Sequence, residues 1–194
     1  MATLLAYSFA SNLNPTTTAA NVSGGAITSS GVPITCVQYS GVLVLGTPAA
    51  STSCKSATEA VSVGNYAYFT LTANSGYVLN LSSLGFKVTR AGAAYSPRGW
   101  VVRSSADSYA ADIATEDVST TDPTYTSKSL DLTGGAYQGL SSITFRIYVY
   151  AQEEDTVLFF DDVAVTGTVD ASATALPFFA DFCGGLNDDL TGGI

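Results

Sequence analysis

The sequence has 194 residues, of which 46% are hydrophobic and only 12% charged, and 16 acidic against 7 basic residues give a formal net charge of −9. Nucleic acids and anionic membranes are excluded as expected partners, because both are bound through clusters of Lys and Arg. Histidine is absent, which removes the commonest general base and the usual zinc and copper ligand. We therefore expect a non-enzymatic protein with no catalytic residues and no required cofactor.

The first half of the chain predicts short strands separated by turns. Strands are expected at Thr3–Phe9, around Gly25–Ser30, and at Ile34–Leu45, where Gly41 marks a bulge or bend. Thr47–Glu59 is rich in Ser, Thr and Ala and is predicted to be a loop.

The clearest alternation lies at Tyr66–Thr72, where the apolar residues Ala67, Phe69 and Leu71 share one face and the tyrosines and threonines share the other. The later strands are predicted at Leu84–Arg90, Trp100–Arg103, Tyr125–Leu132, Ile143–Tyr150 and Thr156–Val169. Turn signals between eight or more strands, without the helices that a parallel α/β sheet requires, are typical of an antiparallel two-sheet β-sandwich. The predicted fold class is therefore all-β, a jelly roll.

The composition changes at Asp170, which divides the chain into a predicted sandwich domain at 1–169 and an extended C-terminal arm at 170–194. The arm carries apolar residues outside the strand series, and these need burial against the sandwich or against a neighbouring molecule. The residues proposed for this assembly contact are Leu176, Phe178, Phe179 and Phe182.

The three cysteines show no spacing typical of a zinc ribbon or a thioredoxin-like site. They are Cys36, Cys54 and Cys183. Cys36 and Cys54 could form a disulfide bond in an oxidising compartment, or both could be semi-buried thiols, and the sequence leaves the two alternatives open.

Several stretches resemble a jelly-roll domain of the carbohydrate-binding-module kind, as carried by secreted surface proteins of bacteria. The matching stretches cover most of 1–169 and are Tyr7–Phe9, Gly64–Ala73, Leu79–Phe86, Trp100–Ser105, Leu140–Arg146 and Phe160–Val169. The resemblance implies the fold more strongly than the function, because one fold hosts many functions.

Two kinds of site follow from the resemblance. One is a flat aromatic platform on which sugar rings stack, for which the candidate residues are Tyr66, Tyr68, Tyr95, Trp100, Tyr148 and Tyr150. The other is calcium, which similar jelly rolls sometimes bind, at Asp161 or Asp162. Packing within the sheet and a solvated strand end are the competing interpretations.

The sequence departs from these bacterial proteins because neither an export signal after Met1 nor a surface-sorting tail is recognised. A surface-type sandwich with an added arm resembles a bacteriophage capsid decoration, or cement, protein. This implies a structural protein on the outer surface of a virion, synthesised in the host cytoplasm, with a homotrimeric state and the major capsid protein as partner. The alternative is a carbohydrate-binding, lectin-like domain of an extracellular surface protein.

Overall fold

The computed structural model describes residues 1–30, 35–47, 54–64, 66–93, 97–152 and 156–172. In the first part of the chain the strands are β1 Ala2–Tyr7, β2 Thr17–Thr18, β3 Val22–Gly24, β4 Thr28–Ser29, β5 Thr35–Tyr39 and β6 Val42–Gly46, followed by helix α1, Ala57–Val63. The remaining strands are β7 Tyr66–Ala73, β8 Tyr77–Arg90, β9 Arg98–Ser104, β10 Ala114–Asp117, β11 Thr126–Asp131, β12 Ser142–Ala151 and β13 Val157–Ala171.

The strands form two sheets. Sheet A has the order β11-β8-β13-β1-β2, with β6 also paired to β13 and β5 to β6. Sheet B has the order β10-β9-β12-β7-β3, with β4 also paired to β7. All pairs between these strands are antiparallel. The predicted all-β, antiparallel two-sheet sandwich is confirmed.

The core lies between the sheets and is built from alternate residues of their strands. Strand β7 shows how the sequence dictates this, because Ala67, Phe69 and Leu71 are buried while the residues between them are half-buried. Aromatic rings join the two layers: Trp100 of sheet B packs edge-to-face on Phe86 of sheet A, with ring centroids 5.0 Å apart. Burial of this apolar area between two sheets is the main stabilising contribution.

The prediction of a loop throughout Thr47–Glu59 is wrong at its C-terminal end, because helix α1 begins at Ala57. Ser56 caps the helix by accepting a hydrogen bond from the Glu59 amide, and the Glu59 carboxylate accepts one from the Lys55 amide in return. Gly64, with a left-handed φ of 77°, ends the helix. No helix in the described ranges is long and apolar enough to cross a membrane.

The single strand predicted at Ile34–Leu45 is instead the hairpin β5–β6. Ser40 and Gly41 both have positive φ, 51° and 86°, which fits a tight two-residue turn rather than a bulge.

Cys36 in β5 is a free thiol, so the suggested disulfide with Cys54 is not formed. Burial raises the pKa of Cys36 to about 11, which keeps this thiol protonated at neutral pH.

The last described strand continues to Ala171. The predicted arm at 170–194, including Cys183, therefore lies almost entirely outside the described residues, and the boundary at Asp170 stays a prediction.

Candidate functional site

A cleft lies on the outer face of sheet B, where β7 and β12 pair. The register places Tyr68 opposite Arg146 and Thr70 opposite Thr144. The cleft has a volume of about 370 Å³, within the usual range of ligand sites. Its lining residues are Ser29, Ser30, Tyr66, Tyr68, Thr70, Tyr109, Thr144 and Arg146.

Helix α1 covers the part of the same face that adjoins the cleft. Ala60 of the helix packs with Val101, Tyr148 and Tyr150 in a small cluster separate from the main core. Only 3% of Tyr148 and 5% of Tyr150 is exposed. Thr144 and Arg146 lie on the same face of β12 as these two tyrosines, but in the cleft rather than under the helix. The cleft is therefore limited to the part of sheet B that α1 leaves uncovered.

A loop after β9 brings Tyr109 over the sheet. The loop starts with a one-turn 3-10 helix, Ser105–Asp107, and continues through Ser108 and Tyr109, which both have left-handed backbones with φ of 61° and 63°. Two successive left-handed non-glycine residues are strained and need support from their surroundings. Arg103 supplies it: its Nη1 donates to the Tyr109 carbonyl at 2.9 Å, and its Nε pairs with Asp112 at 2.6 Å.

Arg146 is the charged group of the cleft. Its guanidinium carbon lies 4.2 Å from the ring centroid of Tyr66 and 3.4 Å from that of Tyr109, so two tyrosines hold it by cation–π contact. Partial burial opposes the charged form, but the hydrogen bond with Tyr148 and the neighbouring tyrosines outweigh burial and raise the pKa of Arg146. The side chain is therefore a fixed cation at all ordinary pH values.

Hydroxyl groups complete the lining. The Thr70 and Thr144 hydroxyls are hydrogen-bonded to each other at 2.8 Å, and the Ser30 hydroxyl donates to the Gly64 carbonyl at 3.1 Å. A ligand rich in hydroxyl groups would thus meet aromatic rings together with donors and acceptors.

The residues of the predicted aromatic platform lie in different parts of the structure. Tyr66 and Tyr68 lie side by side in the cleft, with ring centroids 6.0 Å apart. Trp100 points into the sandwich core and is 1% exposed, so its place on a surface platform is wrong. Tyr148 and Tyr150 are on the predicted face but are covered by α1, so neither presents a ring to solvent. Tyr95 lies outside the described residues.

Two other predicted sites are not tested. The assembly contact falls wholly outside the described residues: Leu176, Phe178, Phe179 and Phe182. The calcium site stays a prediction: the Asp162 carboxylate forms an exposed ion pair of 2.6 Å with Lys87, and across the described ranges no three acidic, Cys or His side chains are grouped to hold a metal.

Sequence reasoning missed Tyr109 and Arg146. Arg146 alternates with Thr144 and Tyr148 along a recognised strand, so its position on the outer face was available from the pattern. Tyr109 gave no such signal, because its loop reaches the cleft through a left-handed turn that its sequence does not favour.

The sequence matches no known family model, and no curated protein matches it in sequence. Among solved structures, the K3 cleaved adhesin domain of Lys-gingipain from Porphyromonas gingivalis is similar, with 14% identity and a TM-score of 0.51 over 86% of this chain and 100% of that one. The CBM22-1 xylan-binding domain of Xyn10C from Paenibacillus barcinonensis shows 13% identity and a TM-score of 0.40 over 89% and 97%. The C-terminal family 22 carbohydrate-binding module of Xyn10B from Clostridium thermocellum shows 9% and 0.41 over 90% and 97%. The similarity to the adhesin domain supports the jelly-roll fold and carries no information about function.

Proposed function

We propose that this protein is a glycan-binding module that holds a saccharide in the cleft on sheet B. The observation that carries the proposal is the combination of tyrosine rings and hydroxyl groups around Arg146 in one recess of about 370 Å³. Tyrosine provides an apolar face for the C–H surface of a sugar ring and a hydroxyl for its polar edge. Of the two functions predicted from the sequence, the cleft favours this one.

The proposed role is binding without catalysis. The lining residues that the structure describes are Ser, Thr, Tyr and one Arg, and they include neither a carboxylate pair nor a histidine. Hydrolysis of a glycosidic bond ordinarily uses two carboxyl groups. A Ser or Thr hydroxyl without an adjacent base is a weak nucleophile.

Removal of the Tyr68 ring is expected to abolish most of the binding. The protein is first screened on a glycan array, and the best saccharide is then titrated by calorimetry against wild type and Tyr68→Ala. Tyr68 is half-buried in the cleft rather than in the core, so the variant should fold while its Kd rises by about tenfold or more.

Tyr39→Ala is the matched control. Tyr39 is 70% exposed on edge strand β5 of sheet A and is not among the lining residues of the cleft, so removal of this surface tyrosine should leave the Kd unchanged. Equal loss in both variants, or a blank array with folded wild-type protein, would refute the proposal.

The role in a virion stays a prediction, as do the homotrimer, the capsid partner and the location on a capsid. These depend on 170–194 and on an assembly, and nothing in the described residues favours them over glycan binding.

A further inference from the structure

Arg146, the cation of the cleft, has no carboxylate partner in the part of the chain that the structure describes, and this feature goes beyond general glycan binding. Three of the other six basic side chains form ion pairs within the described ranges: Lys87 with Asp162, Arg103 with Asp112, and Lys128 with Glu116. Among the described residues no such pair involves Arg146.

The acidic groups nearest in sequence to the loop over the cleft are already used. Asp112 is paired with Arg103 at 2.6 Å, and the Asp107 carboxylate accepts hydrogen bonds from the Ala110 and Ala111 amides at 3.3 and 2.9 Å. The described lining residues include no acidic side chain. A ligand anion would therefore meet Arg146 without competition from a carboxylate of the cleft wall.

The position of Arg146 is fixed before a ligand arrives. The rings of Tyr66 and Tyr109 hold its guanidinium at 4.2 and 3.4 Å. The hydrogen bond with Tyr148 uses one guanidinium donor, but the ring contacts use none, and the other N–H donors in the guanidinium plane match the two oxygens of a carboxylate. Since the side chain is held in place, less rotamer entropy is lost on binding.

We infer that the cleft is selective for a saccharide carrying a carboxylate, a uronic acid, which Arg146 binds through its guanidinium while the tyrosines and hydroxyls contact the sugar ring. The inference rests on the proposed function and names its ligand class. The net charge of −9 repels densely charged chains at long range, so an isolated carboxylate is favoured over a heavily sulfated polymer.

The test compares each uronic-acid oligosaccharide with its methyl ester, because esterification removes the charge and changes the shape little. Binding to wild type is measured by calorimetry, with neutral and sulfated oligosaccharides included. We expect the free acid to bind about tenfold or more tightly than the ester, because hydrogen bonds to charged groups are the stronger ones.

Variants at position 146 assign the selectivity to the guanidinium. Arg146→Gln should bind acid and ester equally, whereas Arg146→Lys should keep a preference for the acid at lower affinity. Lys87→Gln removes one positive charge from sheet A, where Lys87 is 45% exposed, and should change neither affinity. Thermal unfolding of each variant shows whether the fold is retained.

Each remaining outcome has a distinct meaning. Wild type that binds neutral sugars and esters as tightly as acids refutes the selectivity while glycan binding stands. A sulfated saccharide that binds more tightly than every uronic acid, or acid selectivity that survives in Arg146→Gln, also overturns it. Binding of no saccharide at all refutes the proposed function and the inference together.

Discussion

Trp100→Ala is expected to lower the free energy of unfolding by about 3–5 kcal/mol, as truncation of a buried large aromatic residue does. Trp100 is 1% exposed, and its ring packs on Phe86, which in turn packs on Phe160 with centroids 5.5 Å apart. The substitution would leave a cavity between the sheets and would remove the contact of the indole ring with Phe86, which joins the two sheets. A small domain has only about 5–15 kcal/mol of stability, so Trp100→Ala should unfold at a clearly lower urea concentration than wild type.

Urea unfolding followed by circular dichroism measures this loss. Trp100→Phe retains much of the ring and removes an indole N–H that is buried without a hydrogen-bond partner in the described structure, so it should cost clearly less than alanine. Unchanged stability of Trp100→Ala, together with loss of saccharide binding, would support the surface platform and contradict the core position.

Gly99→Ala is expected to destabilise the protein by about 1–3 kcal/mol, the usual cost of overpacking. Gly99 in β9 lies beneath the Tyr150 ring, and an added Cβ would collide with that ring and with the backbone carbonyl of Glu116. The Tyr150 hydroxyl is anchored by a 2.7 Å hydrogen bond to Asp117, so the ring cannot move away without breaking it. The Glu116 carbonyl cannot move away either, because it belongs to the backbone of the paired strands β9 and β10.

Gly85→Ala is the control for this substitution. Gly85 also lies in a strand, but a Cβ there would have the Lys128 carbonyl oxygen as its nearest neighbour at 3.5 Å, an ordinary contact. Its urea midpoint should therefore stay near that of wild type or rise slightly, because alanine reduces the entropy of the unfolded chain. Equal urea midpoints for Gly99→Ala and Gly85→Ala would show that the space beside Gly99 can hold a Cβ, which would contradict the prediction.

The fold was predictable because its signals are local and repeated. Strand β12 alternates Ile143, Phe145, Ile147 and Val149 toward the core, and a register slip by one residue would expose all four. Helix α1 was missed although Ser56 and Glu59 form a capping-box pattern. Seven residues are too few to show a helical period against a background of small polar residues.

The site was predictable only in part because it depends on contacts between distant segments. Alternation placed Tyr66 with Tyr68 on one face of their strand and Tyr148 with Tyr150 on one face of theirs, but it could not show that α1 would cover Tyr148 and Tyr150. For Trp100 the pattern was ambiguous, since Trp100, Val101 and Val102 are all apolar and all buried. Such a run does not reveal which face points to the core.

The measurement that tests the central claim most directly is a map of amide chemical-shift changes by NMR during titration with the best saccharide. Binding in the cleft predicts that the largest shifts cluster on the middle of β7 and β12 and on the loop at Tyr109, with little change at Tyr39 on sheet A. The same saccharide producing its largest shifts on sheet A or along β5 would contradict the proposed site, even if the affinity were high.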